Sequence, residues 1–152
     1  MKVNNKSVSE IKKLIKDPDS AKKYLDIAEA IFLLLDNKGK VTLINKKGCK
    51  LLGYSNKDTV RKNWFNNFLP PSQIDEVKAV FEKILQGEVK ALEYFEYRVQ
   101  TKLGKERLIA WNISRLLDNG NRIIGTLSSG IDITNQRLAE QRLKQVVESS
   151  PN

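Results

Sequence analysis

The stretch Asp132-Ile133-Thr134 decides the interpretation of the fold, because it stands between an apolar strand-like run and the amphipathic segment 135–147. Asp and Thr side chains accept hydrogen bonds from the free N–H groups of a helix's first turn, and a carboxylate also suits the positive end of the helix dipole. The stretch therefore predicts that a folded unit ends here and that a helix leaves it.

Composition sets the broad class. The chain has 152 residues, 40% of them hydrophobic, which predicts one globular domain with extensions and a real core. It contains no apolar run of 18 residues, and its start lacks the apolar core of a signal peptide, so we expect no transmembrane segment and a cytoplasmic location.

Two residue counts exclude several chemistries. Cys49 is the only cysteine, which excludes an intrachain disulfide and a thiolate cluster, and we expect it to be a buried core thiol. The chain has no histidine, which excludes His-ligated haem, histidine zinc sites and Ser/His/Asp hydrolysis. Glycine-rich phosphate loops are absent, and Glu93 and Glu96 are spaced to face opposite sides of a strand, so no enzyme is predicted.

The net charge of +9 admits a polyanionic partner. The lysines are scattered, however, and no long basic run interleaves with aromatic residues. Nucleic acid is therefore the least favoured partner. Salt-dependent binding to DNA or RNA would be needed to support that hypothesis.

Residues 1–20 form a predicted helical extension. Ser7 to Glu10 has the spacing of a capping box, and four apolar residues follow on one face: Val8, Ile11, Leu14 and Ile15. This face is expected either to pack against a second copy or to dock on the chain's own sheet. Pro18 ends the helix, and a second helix is predicted over 21–28.

A hairpin and a group of helices follow. Two apolar runs, 31–35 and 41–45, flank the turn 36–40 and predict paired strands. Short helical turns are expected from Asn45 onward, with Pro70-Pro71 ending the last of them. A long helix is predicted over 72–86 from apolar residues at helical spacing.

The period then changes to two, which predicts strands over 94–100, 107–117 and 122–133. The expected fold is α+β: a five-stranded antiparallel sheet with short helices and one long helix on one face, plus N- and C-terminal flanking helices.

Residues 24–134 resemble a PAS domain. The order and spacing of five motifs carry the resemblance: Asp36 to Val41, Asn45 to Ser55, Asn63 to Pro70, Glu96 to Val99, and Gly125 to Thr134. We take 21–134 as the domain and 135–152 as its outgoing helix. The resemblance is to domains of bacterial and archaeal sensor histidine kinases, and it implies a sensory or dimerisation role without naming a ligand.

The resemblance also bears on cofactors. Haem-binding members use a histidine, which this chain lacks, and the light-sensing flavin subgroup uses a cysteine leading into the long helix. Cys49 lies earlier, so neither His-ligated haem nor a cysteinyl-flavin photoadduct is expected, and the cofactor stays unknown.

In the family a ligand cavity lies between the sheet's inner face and the helices. Strand alternation places an inward set on the sheet, and aromatic residues could close the space from the helical side. The candidate ligand-binding residues are Tyr54, Trp64, Phe68, Phe95, Tyr97, Ile109, Trp111, Ile113 and Ser128. Large apolar side chains at such positions more often simply fill the core, so core packing is the favoured interpretation, and a small molecule essential to the domain is the alternative.

The outgoing helix carries the mechanistic hypothesis. Ala139, Leu143 and Val146 recur at heptad-like spacing, which predicts a parallel homodimer that transmits a signal to a downstream output domain. Asp132 and Thr134 are the expected coupling residues, with the Thr134 hydroxyl capping the helix. Ser149 to Asn152 resembles the entry into another PAS repeat, so we expect a fragment of a longer sensor protein.

Overall fold

A computed structural model describes residues 26–88 and 92–149. Its centre is one antiparallel sheet in the order β2-β1-β5-β4-β3. The strands are β1 (Ile31–Asp36), β2 (Val41–Ile44), β3 (Leu92–Gln100), β4 (Glu106–Leu117) and β5 (Ile123–Asp132). All five predicted strands are confirmed, with ends that differ from the prediction by no more than two residues.

The β1–β2 turn forms for local reasons. The Asp36 carboxylate accepts hydrogen bonds from the amides of Lys38 and Lys40, both at 2.9 Å. Gly39 has φ +81°, and a Cβ there would lie 2.5 Å from the ring of Phe65. Only glycine meets both demands without strain, because it tolerates positive φ and has no side chain.

The helices are α1 (Lys46–Leu52), α2 (Asn56–Thr59), α3 (Trp64–Phe68), α4 (Pro71–Leu85) and α5 (Thr134–Ser149). Buried Asn45 begins α1, since its Oδ1 accepts from the Gly48 amide at 3.2 Å. The same side chain accepts from the Phe32 amide at 2.9 Å and donates to the Ala30 carbonyl at 2.8 Å. One buried amide therefore fixes the first helix to β1.

The long helix α4 starts at the second proline of Pro70-Pro71 and not after it. Proline is well suited to a helix's first turn, where its missing N–H costs no hydrogen bond. The preceding helix α3 has already ended at Phe68. The buried residues Val77, Phe81 and Ile84 turn one face of α4 toward the sheet.

Strand register confirms the predicted inner face of the sheet. Tyr97 lies opposite Ile109, and Trp111 lies between Phe95 on β3 and Gly130 on β5. A Cβ at Gly130 would lie 2.7 Å from the Trp111 ring, so the large indole requires the glycine beside it. The core sits between this face and the helices α1 to α4.

Some expectations have a different outcome. Cys49 packs against the core but is only partly buried, so the prediction of a buried core thiol is right about its position and wrong about the extent of its burial. The predicted helical extension 1–20, most of the second predicted helix at 21–28 and the tail 150–152 lie outside the described residues. No helix in the described ranges is both long enough and apolar enough to cross a membrane.

Candidate functional site

A chain of aromatic rings runs through the core. Tyr97 stacks on Trp111 with centroids 5.4 Å apart, and Trp64 meets Trp111 edge-on at 6.0 Å. Phe68 extends the chain from Trp64 to Tyr54, with centroid distances of 5.3 and 5.4 Å. Ring contacts thus join the strands to the helices. Such contacts stabilise a core by more than the burial of their apolar surface alone.

The two indoles differ in their hydrogen bonding. Trp64 Nε1 donates to the Tyr97 hydroxyl at 3.0 Å, in the interior. Burial raises the pKa of the Tyr97 phenol, so the group stays neutral while its oxygen accepts this bond. Trp111 Nε1 is buried with no hydrogen-bond partner among the described residues. A buried donor without a partner costs free energy, so this group marks a weak point of the core.

A cavity of about 20 Å³ lies between α4 and the inner face. That is space for about one water molecule and far less than a metabolite needs. Four of the nine candidate ligand residues line it: Phe95, Tyr97, Ile113 and Ser128. The other five, Tyr54, Trp64, Phe68, Ile109 and Trp111, pack in the core away from it.

The rest of the cavity wall lies outside the nine candidate residues. It comes from β1, α3, the apolar face of α4 and the inner face of β5: Leu35, Phe65, Val77, Val80, Phe81, Ile84 and Thr126. Strand alternation places Thr126 on the same face of β5 as Ser128, and both residues are nearly completely buried. They give one side of an otherwise apolar cavity hydrogen-bonding capacity.

The Asp132 carboxylate organises the start of α5. Its Oδ1 accepts from the Thr134 amide at 2.9 Å and from the Thr134 hydroxyl, which donates at 2.6 Å. Its Oδ2 accepts from Arg107 Nε on β4 at 2.8 Å. Partial burial alone would raise the pKa of Asp132, but the bonds from Thr134 and Arg107 outweigh it and the pKa is lowered.

The Thr134 hydroxyl has a different role from the expected one. It accepts a hydrogen bond from the Leu108 amide on β4 at 2.8 Å and does not cap its own helix. The Asp132 carboxylate binds the amide of Thr134, the first residue of α5. Thr134 therefore connects the start of α5 to β4, while Asp132 connects it to β5 and, through Arg107, to β4.

A second attachment lies one turn further along α5. Arg137 Nη2 pairs with Glu96 Oε1 on β3 at 2.9 Å, and the Tyr94 hydroxyl donates to Glu96 Oε2 at 2.7 Å. The bond to Glu96 raises the pKa of Tyr94. No local sequence signal indicated this pair, because 41 positions separate the two charges (137 against 96) and only the sheet brings them together.

Beyond Arg137 the helix leaves the domain. No residue of α5 is buried, and Leu143, Val146 and Val147 are 65–67% exposed. Within the described part of the chain, no other element covers these apolar side chains, and most of their surface faces solvent. The described residues also hold no cluster of three acidic or cysteine side chains fit to bind a metal ion.

Comparison with known proteins agrees with this architecture. A PAS domain from Colwellia psychrerythraea is 19% identical, covers 80% of this chain and 98% of its own, and has a TM-score of 0.68. A sensory box histidine kinase/response regulator from Burkholderia thailandensis is 18% identical, with coverage of 86% and 94% and a TM-score of 0.60.

A third similar structure contains a bound ligand. The PAS domain of the Cronobacter turicensis RpfR quorum-sensing receptor, in complex with BDSF, is 20% identical, with coverage of 70% and 96% and a TM-score of 0.59. At these identities the likeness shows the fold alone. None of the curated protein sequences compared with the chain matches it.

The family model described as the PAS fold matches residues 24–133, which is more than half of the chain. The match spans all five strands of the sheet and stops at the residue before α5 begins. The chain therefore belongs to the PAS family of sensory and signalling domains.

Proposed function

We propose that this chain is the sensory module of a multidomain sensor protein of the histidine kinase type, and that α5 carries its signal to an output domain. One observation carries the proposal. The helix is fixed to the sheet at its first turns and is exposed over the rest of its length, where it presents apolar side chains.

The exposed stripe supports pairing of two copies. Ala139, Leu143 and Val146 follow each other at intervals of four and three residues, the spacing that places side chains in the seam of a coiled coil. Fewer than two heptads are present, so the pair on its own would be marginal and would depend on the helix continuing into the next domain.

The hydrogen bonds at the start of α5 support transmission from the sheet. Asp132 belongs to β5, and the Leu108 amide belongs to β4, yet both bind Thr134. A change in the spacing or twist of these two central strands therefore changes the position of the residue from which α5 starts. The strands in turn carry the Trp111 and Ser128 side chains into the core.

The test uses the intact protein and its ATP-dependent autophosphorylation. Asp132→Ala should change the autophosphorylation level, because it releases the Thr134 amide and Arg107 together. Asp118→Ala is the matched control: this carboxylate pairs with Arg122 in the β4–β5 turn, at the other end of the strand. Wild-type levels in both variants would contradict the coupling role, and an intact protein that transfers no phosphate from ATP would contradict the kinase type.

A second candidate is a small-molecule receptor whose ligand is essential. The buried Thr126 and Ser128 support it, because both line the cavity and a ligand atom there could pair with each hydroxyl. A cavity of about 20 Å³ restricts such a ligand to a few atoms unless α4 moves outward. Native mass spectrometry and an absorbance spectrum of the purified protein test this, and a mass equal to that of the bare chain would count against it.

A further inference from the structure

A basic groove lies beside the attachment of α5. It has a volume of about 280 Å³ and is lined by Lys47, Lys50 and Leu51 of α1 together with Arg107 and Asp132 of the sheet. Arg107 and Asp132 lie at the end of the inner sheet face against which α1 packs. The groove is therefore formed by two elements whose relative position the core fixes.

The charge in this groove is unbalanced. Lys47 and Lys50 are three residues apart, so their side chains project from the same side of α1. Neither lysine forms an ion pair within the ranges 26–88 and 93–149, and both are exposed. Three cationic side chains thus face a single carboxylate, which already binds Arg107 through Nε.

We infer that this groove binds a small, multiply charged anion of the phosphate class. Two ammonium groups and a guanidinium supply the donors that phosphate oxygens need, and Leu51 offers an apolar side to an attached organic group. The Asp132 carboxylate stays ionised and disfavours a single negative charge nearby, so only a ligand that engages several cations at once gains enough attraction.

The position of the groove gives the ligand a route to α5. An anion that engages Arg107 competes with Asp132 for the guanidinium, and Asp132 holds the first-turn amide of Thr134. Binding would therefore loosen the helix start from β4 without entering the core. This regulatory consequence rests on the proposed function, whereas the binding site itself does not.

The binding test is calorimetric titration of this chain with inorganic pyrophosphate at low ionic strength, with succinate titrated in parallel. The double variant Lys47→Ala/Lys50→Ala should bind pyrophosphate about tenfold more weakly or worse, because it loses two charge-assisted contacts. Lys78→Ala/Lys83→Ala is the control: it removes the same charge from exposed positions on α4 that do not line the groove. We expect the control to change affinity less than twofold.

The outcomes separate the steps of the inference. Equal weakening in the two double variants, or no measurable binding by the wild type, would overturn the site, and tighter binding of succinate would overturn the phosphate class. Amide NMR shifts then test the route to α5: pyrophosphate should move the Thr134 resonance. A Thr134 resonance that stays in place while pyrophosphate binds would overturn the link. Calorimetry needs no output domain, so failure here leaves the Asp132 autophosphorylation test unaffected.

Discussion

The core and the outgoing helix are held in place by different kinds of contact. Around Trp64 and Trp111 almost every side chain is buried, and the cavity of about 20 Å³ lies apart from them, under α4. Along α5 no side chain is buried, and the attachment to the sheet consists of hydrogen bonds and ion pairs in its first turns. Apolar packing therefore makes the domain stable, while a few polar contacts set where the helix points.

This difference has a functional consequence. Breaking the polar contacts of a charged group at a partly exposed site costs about 1.5–3 kcal/mol, less than the roughly 3–5 kcal/mol that opening a close-packed core costs. Under the proposed function, a signal that moves α5 would need to change only the contacts of Asp132, Thr134 and Arg137. The output would then change without loss of the fold.

The largest effect is expected from a substitution that removes a large side chain from the core, which tests whether the core is close-packed. Trp64→Ala removes a fully buried indole and leaves the Tyr97 hydroxyl without its donor. We expect it to lower the free energy of unfolding by about 3–5 kcal/mol, the range for large-to-small changes in cores. Chemical denaturation measures it. A loss below about 1 kcal/mol would show that the core repacks freely and is not close-packed.

Asp132→Asn tests whether the polar attachment also contributes to stability. It should lower the free energy of unfolding by about 1.5–3 kcal/mol at pH 7, the range for hydrogen bonds to a charged group. Because folding lowers the pKa of Asp132, its contribution is present above the unfolded pKa of about 3.9 and is lost as pH falls through the folded pKa. The gap between wild type and variant should therefore close in acid. A gap independent of pH would contradict an ionised Asp132 as its source.

The two indoles permit a matched comparison within the core. Trp64→Phe and Trp111→Phe remove the same group, but only the Trp64 N–H has a partner. We expect Trp64→Phe to be the more destabilising by about 1–2 kcal/mol, since Trp111→Phe also removes a donor that the core leaves unsatisfied. Equal losses in denaturation would mean that the Trp111 N–H finds a partner in solution.

The sequence was most informative where one local period governs the outcome. Strand alternation placed Tyr97, Ile109 and Trp111 on one face, and β3 and β4 pair without a register shift, so the face was predicted correctly. Hydrogen-bond partners were predicted less well. The Thr134 hydroxyl fits a helix cap by type and position, but the Leu108 amide, 26 positions earlier, binds it.

The candidate cavity shows the same limit. Knowing that nine side chains point into the core does not tell which of them close on each other and which leave space. Four line the cavity and five pack away from it, because the Trp64–Tyr97 hydrogen bond and the stacked Trp111 fill the middle. The Glu96–Arg137 ion pair could not be predicted from the sequence either, because it forms only when the fold brings β3 and α5 side by side.

The smallest expected effect on folding tests the exposed helix. Leu143→Ala/Val146→Ala alters side chains that are 67% and 65% exposed, so each change should shift the free energy of unfolding by less than about 0.5 kcal/mol. If α5 pairs with a second copy, the double variant should still raise the dimer dissociation constant in sedimentation equilibrium. Gln141→Ala/Lys144→Ala is the control on the same helix. Unaltered association in the Leu143 variant, or equal loss in the control, would mean that the apolar stripe is not the seam and that α5 transmits its position by another contact.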